Sequence, residues 1–133
     1  MIGYVTLGTN DLARAQAFYA PLFEILHLAP YYQDETVVSW GDLDDETVPR
    51  FYVCLPYDDA PATVGNGTMT ALRVPTASGV DDLYALALKN GGSDEGVPGF
   101  RPELYGERFY VGYVRDPDGN KLAFVCYDGK SNP

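Results

Sequence analysis

Apolar and polar residues alternate in short runs along most of the chain, and twice the alternation gives way to helical spacing. Over residues 2–7 the set Ile2, Tyr4, Thr6 opposes Gly3, Val5, Leu7, which predicts a strand with two unlike faces. Gly8-Thr9-Asn10-Asp11 breaks it, with Thr9 or Asn10 placed to cap a helix and Asp11 favourable at its positive end. Leu12, Ala15, Phe18 and Tyr19 then share one stripe, as a helix lying on a sheet requires. Pro21 is expected to end or kink that helix, with residues 22–29 as a further apolar turn. Strands follow at residues 30–33, 36–40 and 50–55, and the acidic stretch 41–48 reads as a solvated loop.

Pro56, Pro61, Gly65 and Gly67 make residues 56–67 unfit for regular structure, and beyond them the order returns. A strand at 68–74 precedes a helix starting at Ser78 or Asp81, with Val80, Leu83, Leu86 and Ala87 as its stripe and Gly91-Gly92 as its stop. Strands at 95–98, 108–115 and 121–127 complete it. The second half repeats the β-α-β-β-β order of the first at an offset of about 65 to 70 residues, which marks a duplicated unit. The expected fold is therefore α+β: one domain over residues 1–133, built of two tandem βαβββ modules. These span about 1–56 and about 68–128, with a linker at about 57–67. Their sheets are expected to form a curved, cup-like mixed sheet with the helices on the outside.

Composition narrows the function classes. An apolar fraction of 46% with 14% aromatic residues, 11 of them Tyr, excludes a disordered chain. The net charge of −10, from 19 acids against 9 bases, removes the attraction to phosphate backbones and anionic lipid. Neither nucleic acid nor membrane is an expected partner, and the acidity suits a cationic ligand. Cys54 and Cys126 stand in apolar runs without CxxC spacing and read as free thiols. No run approaches the ~18 apolar residues that cross a bilayer, and no leader pattern opens the chain, so a cytoplasmic protein is expected.

Asp116-Pro117-Asp118-Gly119-Asn120 has the chemistry of a hairpin reversal: Pro117 presets a negative φ, Gly119 and Asn120 tolerate a positive one, and Asp116 bonds forward to backbone amides. With Tyr4-Val5-Thr6-Leu7-Gly8-Thr9-Asn10-Asp11-Leu12, Ala17-Phe18-Tyr19, Gly65-Asn66-Gly67-Thr68-Met69 and Asn90-Gly91-Gly92, this hairpin resembles the glyoxalase/bleomycin-resistance/dioxygenase-like domain of the vicinal oxygen chelate superfamily over nearly the whole chain. The resemblance implies a divalent metal held by His or Glu side chains from the first strand of each module and the last strand of the second. Matched by motif, those places fall on Tyr4, Met69 and Ala123. A phenol with a reference pKa near ~10 binds such ions weakly at neutral pH, a thioether is soft, and a methyl has no lone pair. No metal and no cofactor is therefore expected. His27, the one histidine, reads as a surface residue.

The same resemblance marks the face that carries Tyr4 and Thr6 as inward. Alternation adds Met69, Arg73 and Ala123 to it, and Trp40, Tyr52, Tyr105, Tyr110 and Tyr113 are the aromatic candidates. Together they are expected to line a cavity for an aromatic or cationic small molecule, in a homodimer as many relatives form. The leading expectation is a metal-free binding or sequestering protein, a role bleomycin-resistance proteins exemplify, with no catalytic residue assigned. One alternative is a lyase or dioxygenase-type enzyme with non-standard metal ligands or with Tyr4 as acid/base. The other is a non-catalytic scaffold whose cavity is filled.

Overall fold

The computed structural model describes residues 1–129; residues 130–133 of the expected domain lie outside the described residues. The first module runs β1 (Tyr4–Gly8), α1 (Leu12–Ile25), β2 (Ala29–Gln33), β3 (Val37–Gly41) and β4 (Arg50–Cys54). The second runs β5 (Thr70–Arg73), α2 (Ala77–Lys89), β6 (Ser93–Phe100), a short α3 (Pro102–Tyr105), β7 (Tyr110–Arg115) and β8 (Lys121–Cys126). Each module forms its own four-stranded mixed sheet, in the orders β1-β4-β3-β2 and β5-β8-β7-β6, so the two repeat one topology.

Local chemistry explains most boundaries. Asp11, not Thr9 or Asn10, caps α1, its carboxylate accepting from the Arg14 amide at 3.0 Å. Pro21 does not end that helix. Its missing N–H forfeits one backbone bond, yet Leu22 and Phe23 beside it are buried to within 1% of full enclosure, and that packing carries the helix on to Ile25. Thr76 caps α2 through a bond to the Gly79 amide at 3.0 Å, so the helix begins at Ala77, just before Ser78 and a turn before Asp81, the two starts that the sequence pattern offers. β6 is longer than expected, because register shifts on either side of Gly96 let its polar residues follow β7.

Each helix covers the apolar face of its own sheet and leaves the other face open. α1 and α2 also pack on each other, and one hydrophobic core takes in both helices with the helix-facing residues of both sheets. The two sheets are not joined edge to edge, and their open faces look away from this common core. The β7–β8 hairpin ties the modules together. Asp116, 4% exposed, accepts from the Tyr19 hydroxyl at 2.5 Å, while Asp118 accepts from Thr9 Oγ1, the Asn10 amide and Arg14. Asn120 Nδ2 adds a bond to the Gly8 carbonyl at 2.9 Å. Among the described residues no helix is long and apolar enough to cross a membrane.

Candidate functional site

Strand register decides which side chains reach the open faces. In the first sheet β1 and β4 run parallel with Tyr4 beside Arg50, Thr6 beside Tyr52 and Gly8 beside Cys54. Tyr4 is 60% exposed, and its ring meets Tyr52 edge-on at 5.4 Å. Arg50 lies over the Tyr31 ring at 5.0 Å and donates to its hydroxyl at 2.8 Å. The face is thus a tyrosine surface threaded by one guanidinium. Burial pushes the Cys54 thiol up, so little thiolate exists there to act as a nucleophile.

In the second sheet Ala71, Ala123 and Tyr113 share one row, and Arg73, Val125 and Val111 the next. Val111, Ala123 and Val125 form a small apolar patch with Phe109 and Tyr113 packed over it. The Tyr105 ring meets Phe109 at a tilt with centroids 4.7 Å apart, and Phe109 meets Tyr127 likewise at 5.7 Å, giving the patch an aromatic rim. Lys121 stands over the Tyr113 ring at 5.4 Å. Beyond it a cleft of about 550 Å³ opens between residues 64–69 of the connecting segment and the pair Arg115 and Lys121.

Sequence comparison places this architecture. The family model described as the Glyoxalase/Bleomycin resistance protein/Dioxygenase superfamily matches residues 1–124. The chain belongs to that superfamily. Among solved structures, a glyoxalase/bleomycin resistance protein from Albidiferax ferrireducens T118 is 30% identical, with 95% of this chain and 98% of that one covered and a TM-score of 0.82. A glyoxalase-related enzyme from Fulvimarina pelagi (21% identity, 95% and 87% covered, TM-score 0.72) shares the fold. So does a lactoylglutathione lyase from Agrobacterium tumefaciens (18% identity, 95% and 92% covered, TM-score 0.65). No curated protein matches.

Two of the residues that the sequence suggests for the cavity of this glyoxalase-superfamily chain lie elsewhere. Trp40 pairs with Phe51 and shares its side of the sheet, stacked on Phe23 at 4.9 Å and 1% exposed, so it belongs to the core under α1. Tyr110 pairs with Cys126 on the helix-facing side, where its hydroxyl donates to Asp81 of α2 at 2.6 Å. Burial and that bond push its phenol up to about 12. The remaining eight split between faces. Tyr4, Thr6 and Tyr52 stand on the first sheet, whereas Met69, Arg73, Tyr105, Tyr113 and Ala123 stand on or beside the second. Tyr31, Arg50 and Lys121 escaped the sequence reading. Arg50 follows from the parity of Tyr52, but Tyr31 had no usable signal because β2 shifts register between Pro30 and Gln33.

The donor set does not fit the divalent metal that the superfamily implies. Tyr4 lies on one sheet, Ala123 on the other, and Met69 at the mouth of the cleft. Among the described residues no three of His, Cys, Asp and Glu gather to hold an ion. Within the strands the bases outnumber the acids. Arg50, Arg73, Arg115 and Lys121 stand on the open faces, whereas the acids within the strands are Asp94, bonded to Tyr84 of α2, and Glu95, paired with Arg115 at 2.6 Å.

Proposed function

We propose that this protein binds a small molecule without a metal, on the aromatic open faces of its sheets, and that it does so as a homodimer in which a second copy covers those faces. The observation that carries the reading is the chemistry at the three family positions: a phenol, a thioether and a methyl offer no set of hard or borderline ligands. The aromatic pairs Tyr4–Tyr52 and Tyr105–Phe109 supply flat contact area with hydrogen-bonding tips, which suits a planar or apolar ligand. The name of the Albidiferax ferrireducens relative spans enzyme and binder, and the donor set favours the binder. Both cysteines are free, which supports a reducing compartment such as the cytoplasm.

A thermal-shift screen of planar, apolar and charged small molecules tests the reading. A true ligand at ~100 times its Kd adds about 2.7 kcal/mol to stability, a shift of several degrees. Such a shift that disappears in Tyr52→Ala supports the proposal. No shift with any compound class contradicts it and favours a filled scaffold.

A further inference from the structure

Most of this chain repels anions, yet the cleft beside the second open face is built from groups that attract them. Residues 64–69 line it together with Arg115 and Lys121. One wall is a tight turn closed by the Thr68 amide bonding to the Gly65 carbonyl at 3.1 Å, with Gly67 at φ +92, a conformation that glycine adopts without strain. The amides of Gly65, Asn66 and Gly67 donate to no group among the described residues. On the other wall the Arg115 guanidinium is fixed by two bonds, Nε to Glu95 at 2.6 Å and Nη1 to the Gly119 carbonyl at 2.8 Å. Its Nη2 has no partner among the described residues, so one arm of a rigid fork remains for another acceptor. Lys121 forms no ion pair among the described residues, and its ammonium is steadied over Tyr113.

The charge balance within the cleft is positive. Glu95 offsets Arg115, and Lys121 leaves one unmatched positive charge in a chain of net charge −10. Selection for solubility alone gives no reason to gather the bases of the strands on the open faces. The volume, about 550 Å³, exceeds what an inorganic anion needs and falls in the range of small-molecule sites. Lys121 and Tyr113 connect it to the apolar patch at Ala123.

We infer that this cleft holds the anionic group, carboxylate or phosphate, of the bound small molecule, with the apolar remainder lying along Tyr113 and Ala123. The inference rests on the small-molecule reading above for the remainder of the ligand, but the anionic subsite stands on the cleft alone. It reverses the sign of ligand charge that the overall acidity suggests. Charge-assisted bonds from Lys121 and Nη2 of Arg115, with the turn amides as neutral donors, are the recognition chemistry.

Calorimetric titration of the full chain at constant ionic strength tests it, with phenyl phosphate, benzoate, benzyltrimethylammonium and benzyl alcohol as matched aromatic probes and inorganic phosphate as the bare anion. Binding of phenyl phosphate or benzoate well above the ammonium and the alcohol is expected, and the stronger of the two anions identifies the head group. Lys121→Gln is expected to weaken that binding roughly tenfold or more, while Lys121→Arg retains it. Both variants are expected to melt as the parent does, since Lys121 closes no ion pair among the described residues. Equal or tighter binding of the ammonium or the alcohol overturns the anionic subsite and leaves the small-molecule reading standing. An unchanged affinity in Lys121→Gln, or no binding by any of the five probes, overturns it too. The fate of the wider reading then rests on the thermal-shift screen, so the two failures are told apart.

Discussion

Tyr19 and Asp116 lie 97 positions apart in sequence and meet in the core. The Asp116 carboxylate also accepts from Asn120 Nδ2 and from the amides of Asp118 and Asn120, so the turn that it shapes is the turn it anchors to α1. The sequence shows the turn, because Pro, Gly and Asn carry local signals. It does not show the anchor, because nothing near Asp116 or Asp118 tells that their free lone pairs face the other module. Tyr19→Phe leaves a buried carboxylate short of one donor, and a loss of about 1–3 kcal/mol in urea-measured stability is expected. Burial first, and then the Asp116 charge, hold the Tyr19 hydroxyl well above its usual value, and Tyr110 is pushed up to about 12. In the unfolded chain both ionise near ~10. Between those limits the folded state binds more protons, so the stabilisation is whole below ~10 and falls as pH rises through the folded values. Spectrophotometric titration of tyrosinate should show a late-ionising fraction that appears together with loss of fold.

At the scale of elements, the tandem order was legible because two helical stripes interrupt an otherwise alternating chain. Boundaries were less so wherever packing outweighed local preference, as at Pro21, or wherever a register shift hid the alternation, as in β2 and β6. Trp40 shows the cost: its type suggests a ligand platform, and only its pairing with Phe51 assigns it to the core. Gly92 marks where the two modules press together. A Cβ there would come 2.8 Å from the Ala87 carbonyl oxygen, 2.9 Å from that of Arg115 and 2.9 Å from Phe18 of α1. Backbone carbonyls have little room to yield, so Gly92→Ala should lower stability by about 1–3 kcal/mol. Thermal denaturation against the parent checks this, and an unchanged melting point would mean that the interface is looser than its geometry implies.

For the molecule as a whole, a shared core behind both sheets leaves two faces with aromatic side chains turned outward. Tyr4 is 60% exposed and contributes little to the fold of one chain, so in the proposed homodimer it is a residue that the second copy would cover. Light scattering on an eluting peak should therefore give twice the chain mass. Tyr4→Asp is expected to return the protein to a monomer with its secondary structure and core intact. A monomeric parent would remove the homodimer from the account. The sequence could not indicate that the candidate residues divide between two faces, since that division follows from how α1 and α2 pack rather than from any strand taken alone.

Elemental analysis of the protein, produced with iron, manganese, nickel and zinc supplied and then dialysed, bears most directly on the claim that this glyoxalase-superfamily protein works without a metal. Far less than one ion per chain, with a melting point unmoved by chelator, is the result expected from a phenol, a thioether and a methyl at the three positions. One tightly held ion per chain, lost on Tyr4→Phe, would contradict that claim and make the enzyme the better reading.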